Sequence, residues 1–429
     1  MANAEVIRFA GDVSIDNVEV ISNNGFGADI VNQVVALEIY EDLFSPFMSG
    51  VLAVKESLDL INLFPLTGEE YLNLRIHTPS FIGKDKTIDD QFYIYKINNR
   101  ARPSDRSVIY EIHFISREAI VDMNKKVSRA YEGKISEIAK SIITDTQSGL
   151  ESKKQVNIEE TPNGVKFISN FWSPIKNLNY ISQTAINPNN SPGYMFFENR
   201  NGFNFVSLEK IYNSQPIQNF IYDGYTRDFK PDGTSIRNVE KEYQRINEIN
   251  IPEVFDYIDR SKMGMFANKQ IAHDITTKKY MAKNFDMLTE FSKQQHLNPY
   301  PLVSGKNVRR SNALIINYTK YYNNFNNYSD VTNSRTIQKR ISLLEQAQGS
   351  KIQVVVPGRT DYTVGSKVNV KLNKFVPIQS TDTDDDVLDK MFSGNYIISS
   401  INHSIDRDMH MCNMELIKDT FIIDLDKGK

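Results

Sequence analysis

Short stretches in which apolar and polar residues alternate recur near both ends of this 429-residue chain, and that recurrence restricts the fold more than any other feature. Val35, Leu37 and Ile39 alternate with Ala36 and Glu38 near the start, and Val368, Val370 and Leu372 alternate near the end. A period of two sends successive side chains to opposite faces, so each run is a strand with one face on a core. Around the first run, Met48 to Lys55, Leu72 to Ile76, Gln91 to Asn98 and Ser107 to Ser116 read as further strands, with a turn-like segment over Arg100 to Arg106. Ser57 caps a short helix running to Leu63, which Pro65 stops. The expectation for this part is one antiparallel sheet with a helix, curved into a barrel.

Helical spacing takes over at Ile135, Ile138, Ala139, Ile142 and Ile143. Ser173-Pro174 opens a second helix through Leu178 and Ile181, serine capping it and proline taking its first position. Beside it, Trp172 reads as a core anchor in preference to a sugar platform. Tyr194 to Glu198 and Phe203 to Phe205 flank Asn199-Arg200-Asn201-Gly202, and an Asn-Gly pair in that setting signals a hairpin. Strand character returns at Ile246, Ile249 and Ile251 and again over Met265 to Asp274. Residues 289–333, crowded with Asn and Tyr, read as a long loop or insertion. Thr336 to Gln348 is predicted to be a helix capped near Asn333 or Ser334, with Ile337, Ile341 and Leu344 on its core face. Strands Ile352 to Val356, Asn395 to Ile401 and His410 to Leu416 complete a second sheet with one helix. The chain class is mainly β within α+β, divided as a β domain over 1–120, an α+β insertion over 121–215, a second β domain over 216–288 with 334–426, and the 289–333 insertion.

Composition excludes several functions. With 50 Lys and Arg against 53 Asp and Glu, the formal charge of -3 gives no general attraction to a polyanion. No run approaches the roughly 18 apolar residues of a membrane helix, and Met1 to Val6 lacks the features of a secretory leader, so synthesis in a cytoplasm is expected. Cys412 is the only cysteine, which rules out an intrachain disulfide. No phosphate loop or nucleophile elbow occurs, and Gly25-Phe26-Gly27 lacks the third glycine of a dinucleotide site. Asp382-Thr383-Asp384-Asp385-Asp386 begins like a calcium loop but fails at Val387, where glycine is needed, and at Ser393, where a glutamate is needed. His410, Cys412 and Met414 share one face of a strand and contain soft ligands, but sheet packing is the favoured role. His77, His113, His273, His296 and His403 show no ligand spacing, and His403 reads as a buried, hydrogen-bonded histidine. Gly358, Gly365 and Gly394 read as turn formers. No catalytic, cofactor-binding or metal-binding residue is assigned.

Several segments carry a resemblance. Leu37-Glu38-Ile39-Tyr40-Glu41, followed by Leu43-Phe44-Ser45-Pro46-Phe47-Met48-Ser49-Gly50, resembles the opening strand pair of baseplate hub proteins in contractile-tailed phages, a family related to the hub part of type VI secretion spike proteins. Phe64-Pro65-Leu66-Thr67-Gly68-Glu69-Glu70, Phe171-Trp172-Ser173-Pro174 and Tyr194 to Phe205 are similar to its middle segments. Helix 336–348, Val356-Pro357-Gly358, Tyr362-Thr363-Val364-Gly365, Ser393-Gly394-Asn395-Tyr396 and Ile401-Asn402-His403 follow in the family's order, whereas 147–164 and 289–333 match poorly. The resemblance implies two tail-tube-like domains per chain and a homotrimer whose six such domains reconcile a sixfold tail tube with a threefold central spike. It further implies contacts with the spike, tail tube, other inner baseplate proteins and tape measure, and a place in the virion after synthesis in the host bacterium. DNA would pass without specific binding, with no enzymatic activity and no membrane insertion. The alternatives are a tail tube or tube-terminator subunit, or a tail-associated peptidoglycan hydrolase built on a carboxylate pair.

Overall fold

A computed structural model describes residues 7–57, 60–63, 66–81, 83, 86–104, 107–222, 227–229, 235–274, 278–304, 314–318, 332–374, 387–406 and 409–427. The chain is mainly β. Its dominant feature is a sheet of 14 strands among the described residues, which runs through both β-rich halves without a break. In the first half Val34–Asp42, Ser49–Glu56, Ser107–Ser116, Thr87–Ser104, Tyr71–His77 and Ser14–Ile21 pair antiparallel in that spatial order. In the second half Gly394–Asp406 pairs Met409–Lys418, which pairs Ser350–Pro357. Among the described strands no sheet closes into a barrel.

Alternation explains the first core. Leu37 and Ile39 are fully buried, with Leu52, Val54, Ile112 and Phe114 facing them from neighbouring strands. Val35 departs from the expected face and is 36% exposed. A register shift between Val34 and Ala36 opposite Ala53 and Val54 adds one residue there, and one extra residue turns the side chain away from the core. The expected turn over Arg100 to Arg106 is also displaced, since the Thr87–Ser104 strand continues through Ser104. Beyond Tyr93 this strand leaves the Tyr71–His77 ladder and continues along Ser107–Ser116, whose other edge stays paired with Ser49–Glu56 as far as Val108.

The seam between the halves lies on the Gly394–Asp406 strand. Its first residues pair with Lys367–Lys371, and after a bulge at Ser399 its second half pairs with Val34–Asp42, from Ser400 opposite Asp42 to Asp406 opposite Ala36. The two cores therefore exchange residues: Ile405 packs in the first and Leu43 in the second. Thr78 and Thr360 add reciprocal bonds of 3.0 Å, each hydroxyl accepting from the other's backbone N–H. Sheet continuity and shared cores make relative motion of the halves costly, because movement would break ladder bonds and expose apolar area together.

A third core lies between. Helices Ile135–Thr144 and Pro174–Ser182 pack Ile138, Ile142, Leu178 and Ile181 against the hairpin of Tyr194–Asn199 and Gly202–Ser207. Ser173 caps its helix by accepting from the N–H of Lys176, as its sequence predicts. Trp172 packs partly buried against Tyr180.

Helix Thr332–Ala347 begins before the expected position, and its buried face is rotated from the expected one: Ile337, Ile341 and Leu344 are partly buried, Leu344 packing against the second core, in which Leu343 and Ala347 are buried. The closed face carries Gln338, Ser342 and Gln346. Ser342 Oγ donates to the carbonyl of Met265 at 2.5 Å, and Gln346 Nε2 donates to Ser342 Oγ at 2.8 Å. Arg340 donates to the carbonyls of Pro192 and Tyr194 at 2.9 and 2.7 Å. The helix joins several units at once, so polar side chains that satisfy neighbouring backbone groups are buried alongside its apolar residues Leu343 and Ala347.

Candidate functional site

The surface offers apolar side chains and strand edges. Helix Tyr257–Met263 is capped by Asp256 and held to the long helix by Arg260, which pairs with Glu345 at 2.9 Å. Around it Val254, Phe255, Ile258 and Met263 are each at least half exposed. Strand Glu248–Glu253 pairs only with Ser350–Pro357 among the described residues, leaving its other edge open beside this apolar group. Open edges and exposed apolar side chains on one segment suit association with another chain.

The remaining sites are internal. Lys154 reaches between the middle unit and the first sheet, donating to Asp90 Oδ2 at 2.9 Å and Glu198 Oε1 at 2.6 Å. The second oxygen of Glu198 accepts from the N–H of Met48 at 2.9 Å. Burial would lower the Lys154 pKa, but the carboxylates of Glu198, Asp90 and Glu118 outweigh it and hold the ammonium above its ordinary range. Burial raises Glu198 to about 7 despite its cationic partner.

At the seam, His403 on one strand faces Cys412 directly across the ladder, and His410 lies two residues from Cys412 on the same face. His403 Nδ1 is 3.0 Å from His410 Nε2, while Cys412 Sγ is 3.4 and 3.5 Å from those two nitrogens. All three residues are fully buried. Burial drives both imidazoles toward the neutral form, His410 to about 3 and His403 well below the usual range, and drives the Cys412 thiol upward. Behind His403, Glu41 Oε1 sits 3.9 Å from Nε2, and the other carboxylate oxygen accepts from Thr363 Oγ1 and from the N–H of Val364. Gly358 is needed beside this cluster for space and not for its φ: a Cβ there would meet the His410 ring at 2.3 Å. Gly365 and Gly394 do adopt positive φ, at 79° and 122°.

The grouping of His403 with His410 and Cys412 escaped the sequence reading, although His403 is buried and hydrogen-bonded as expected. The missed signal is arithmetic: strands ending at Asp406 and starting at Met409 pair residues whose numbers share one sum, which sets 403 opposite 412. Asp382 to Asp386 lie outside the described residues. Ser393, the would-be closing ligand of that loop, is buried and bonded through Oγ to the backbone of Leu372 at 3.0 and 3.2 Å. His296 lines an open cleft, but Nδ1 faces Asp419 at 2.7 Å and Nε2 faces the carbonyl of Phe291 at 3.1 Å, so neither nitrogen is free to act as a base.

No family model matches the chain. It is 22% identical over 419 residues to a protein of Vibrio phage KVP40 described as "Probable baseplate hub protein gp334", with 92% of each chain covered. Among solved structures, a tail protein from Neisseria meningitidis MC58 superposes with a TM-score of 0.54 at 11% identity, covering 94% of this chain and 96% of its own. The 43 kDa tail protein of prophage MuSo2 from Shewanella oneidensis gives 0.52 at 9%, covering 94% and 98%. The chain thus resembles a phage baseplate hub protein over nearly its whole length and shares the fold of two tail proteins.

Proposed function

We propose that this chain is a non-enzymatic structural subunit of a phage-type tail baseplate, a hub that joins the tail tube to the central spike. The observation that carries the reading is the extent of the likeness, 92% of both chains, to a protein described as a baseplate hub. A likeness confined to one β domain would suit any tube-like protein; this one takes in both β-rich halves and the unit between them. In the finer form of the reading, 1–120 and 216–288 with 334–426 act as two tube-like domains, 121–215 and 289–333 are insertions, and three chains close into a ring presenting six such domains. That ring would meet the tube above with sixfold and the spike below with threefold symmetry, and surround the channel for tape measure and DNA. Seam pairing from Ser400 to Asp406 supports this, since it locks two sheets into one body able to carry load.

Ring closure requires one patch to meet a different patch on the next copy. The exposed group Val254, Phe255, Ile258 and Met263 supplies an apolar half of such a contact. Light scattering and negative-stain class averages of the purified protein, with and without its spike, should give three-subunit rings with a pseudo-sixfold outline. A ring of six would reassign the chain to the tail tube, and a monomer in the presence of spike would refute the hub reading. Ile258→Asp should reduce ring formation at least tenfold while changing thermal stability by less than about 0.5 kcal/mol, since the side chain is 64% exposed.

A further inference from the structure

We propose that His403, His410 and Cys412 form a structural zinc site inside the sheet seam, with Glu41 orienting His403 from behind. Among the described residues this is the one group of three or more His, Cys, Asp or Glu side chains whose ligand atoms converge, all within 4.8 Å of one another. Their spacing is that of a coordination shell. Zinc bonds of about 2.0–2.1 Å to nitrogen and about 2.3 Å to sulfur, at tetrahedral angles, separate two nitrogens by about 3.3 Å and nitrogen from sulfur by about 3.5 Å. The corresponding separations here are 3.0, 3.4 and 3.5 Å. Two imidazoles and one thiolate form a mixed donor set that suits a borderline-soft ion, and zinc, without d-electron geometry preferences, accepts the slightly narrow angle between the nitrogens.

Two further observations point to a ligand. His403 Nε2 and Glu41 Oε1 face each other, buried and without a hydrogen-bond partner, an expensive arrangement for two polar atoms in one core. With His403 bound to metal through Nδ1, its Nε2 would carry the proton and face the Glu41 carboxylate, now 3.9 Å away, so that a small approach would complete the carboxylate–histidine–metal relay that orients zinc ligands elsewhere. Charge is then balanced: the entering divalent ion displaces the thiol proton to solvent, and thiolate plus Glu41 carboxylate supply two negative charges. Three protein ligands leave a fourth position for one water. Because the site straddles the strand that pairs with both halves, the ion would pin the seam and take no part in chemistry.

Elemental analysis of the full chain, purified without chelators, should find about one zinc per folded chain, and zinc-edge X-ray absorption should show a mixed shell near about 2.0 and about 2.3 Å. Cys412→Ser should lower the zinc content at least tenfold and remove the sulfur shell, while Glu41→Gln should weaken zinc retention against a chelator by about 10–100-fold. Protein produced in cobalt medium should show a thiolate-to-metal charge-transfer band. Folded wild-type protein with less than about one-tenth equivalent of zinc and no cobalt band would overturn the site, whatever the variants do. So would zinc that persists in Cys412→Ser with an unchanged edge.

Discussion

Lys154→Met should destabilise the joint between the middle unit and the first sheet by about 3–5 kcal/mol, the cost of removing one partner from a buried ion cluster. Lys154 is 14% exposed, Asp90 19% and Glu198 not at all, so of the two carboxylates left behind Glu198 has no solvent to turn to and Asp90 has little. Methionine matches the lysine stem in length, which isolates the charge from the packing. The effect should be local. The single tryptophan, Trp172, lies in the middle unit and reports its unfolding, so the urea transition followed by its fluorescence should shift to lower denaturant. The exposed pair Lys134–Glu160 serves as contrast: solvent screens it, so Lys134→Met should leave the transition almost unmoved. Adding Glu198→Gln to Lys154→Met should recover part of the loss, because the amide needs no counter-ion. An unshifted Trp172 transition in Lys154→Met would mean that the cluster is not what holds the two units together.

Legibility from sequence followed the range of the interactions. Leu37, Ile39, Val368 and Val370 fall where alternation puts them because a strand's facing depends on its nearest neighbours alone. The Ser173 cap and the hairpin around Gly202 are equally local. Val35 misses its face because one inserted residue opposite a partner strand reverses the alternation, and the partner is not visible in the run itself. The long helix fails for a related reason. Its surroundings come from distant segments around Pro192, Met265 and Lys283, so Gln338, Ser342 and Gln346 are buried along with Leu343 and Ala347. The seam residues needed the most distant information of all: Glu41 meets Thr363 and Val364 across more than 300 positions. His403 was recognisable as a core histidine, but its cluster follows only once the two final strands are extended beyond the limits that their apolar residues suggest.

Lys418 gives the second large effect, and it is a pH dependence. The side chain is fully buried at the end of the Met409–Lys418 strand, where Nζ donates to the carbonyls of Met391 at 2.6 Å and Ser393 at 3.0 Å and lies 4.6 Å from the centre of the Tyr396 ring. Burial lowers its pKa to about 7, against the opposing pull of Asp389 and Asp419. A neutral amine has two N–H groups, and two carbonyls receive them. In the unfolded chain the group titrates near about 10.4, so between these values the unfolded state holds a proton that the native state has shed. Native stability therefore gains as pH rises through this window, by up to about 1.4 kcal/mol per unit, and the penalty of burying the charge, about 5 kcal/mol in all, is fully present below the folded pKa. Other lysines and tyrosines titrate in the same range, so the quantity to measure is the difference from Lys418→Met. Urea midpoints at pH 6 and pH 9 should show the variant's advantage over wild type shrinking by about 2–3 kcal/mol as the pH rises. A constant difference would mean that Lys418 keeps its proton in the native sheet, with the two carbonyls and the Tyr396 ring stabilising the ammonium against its burial.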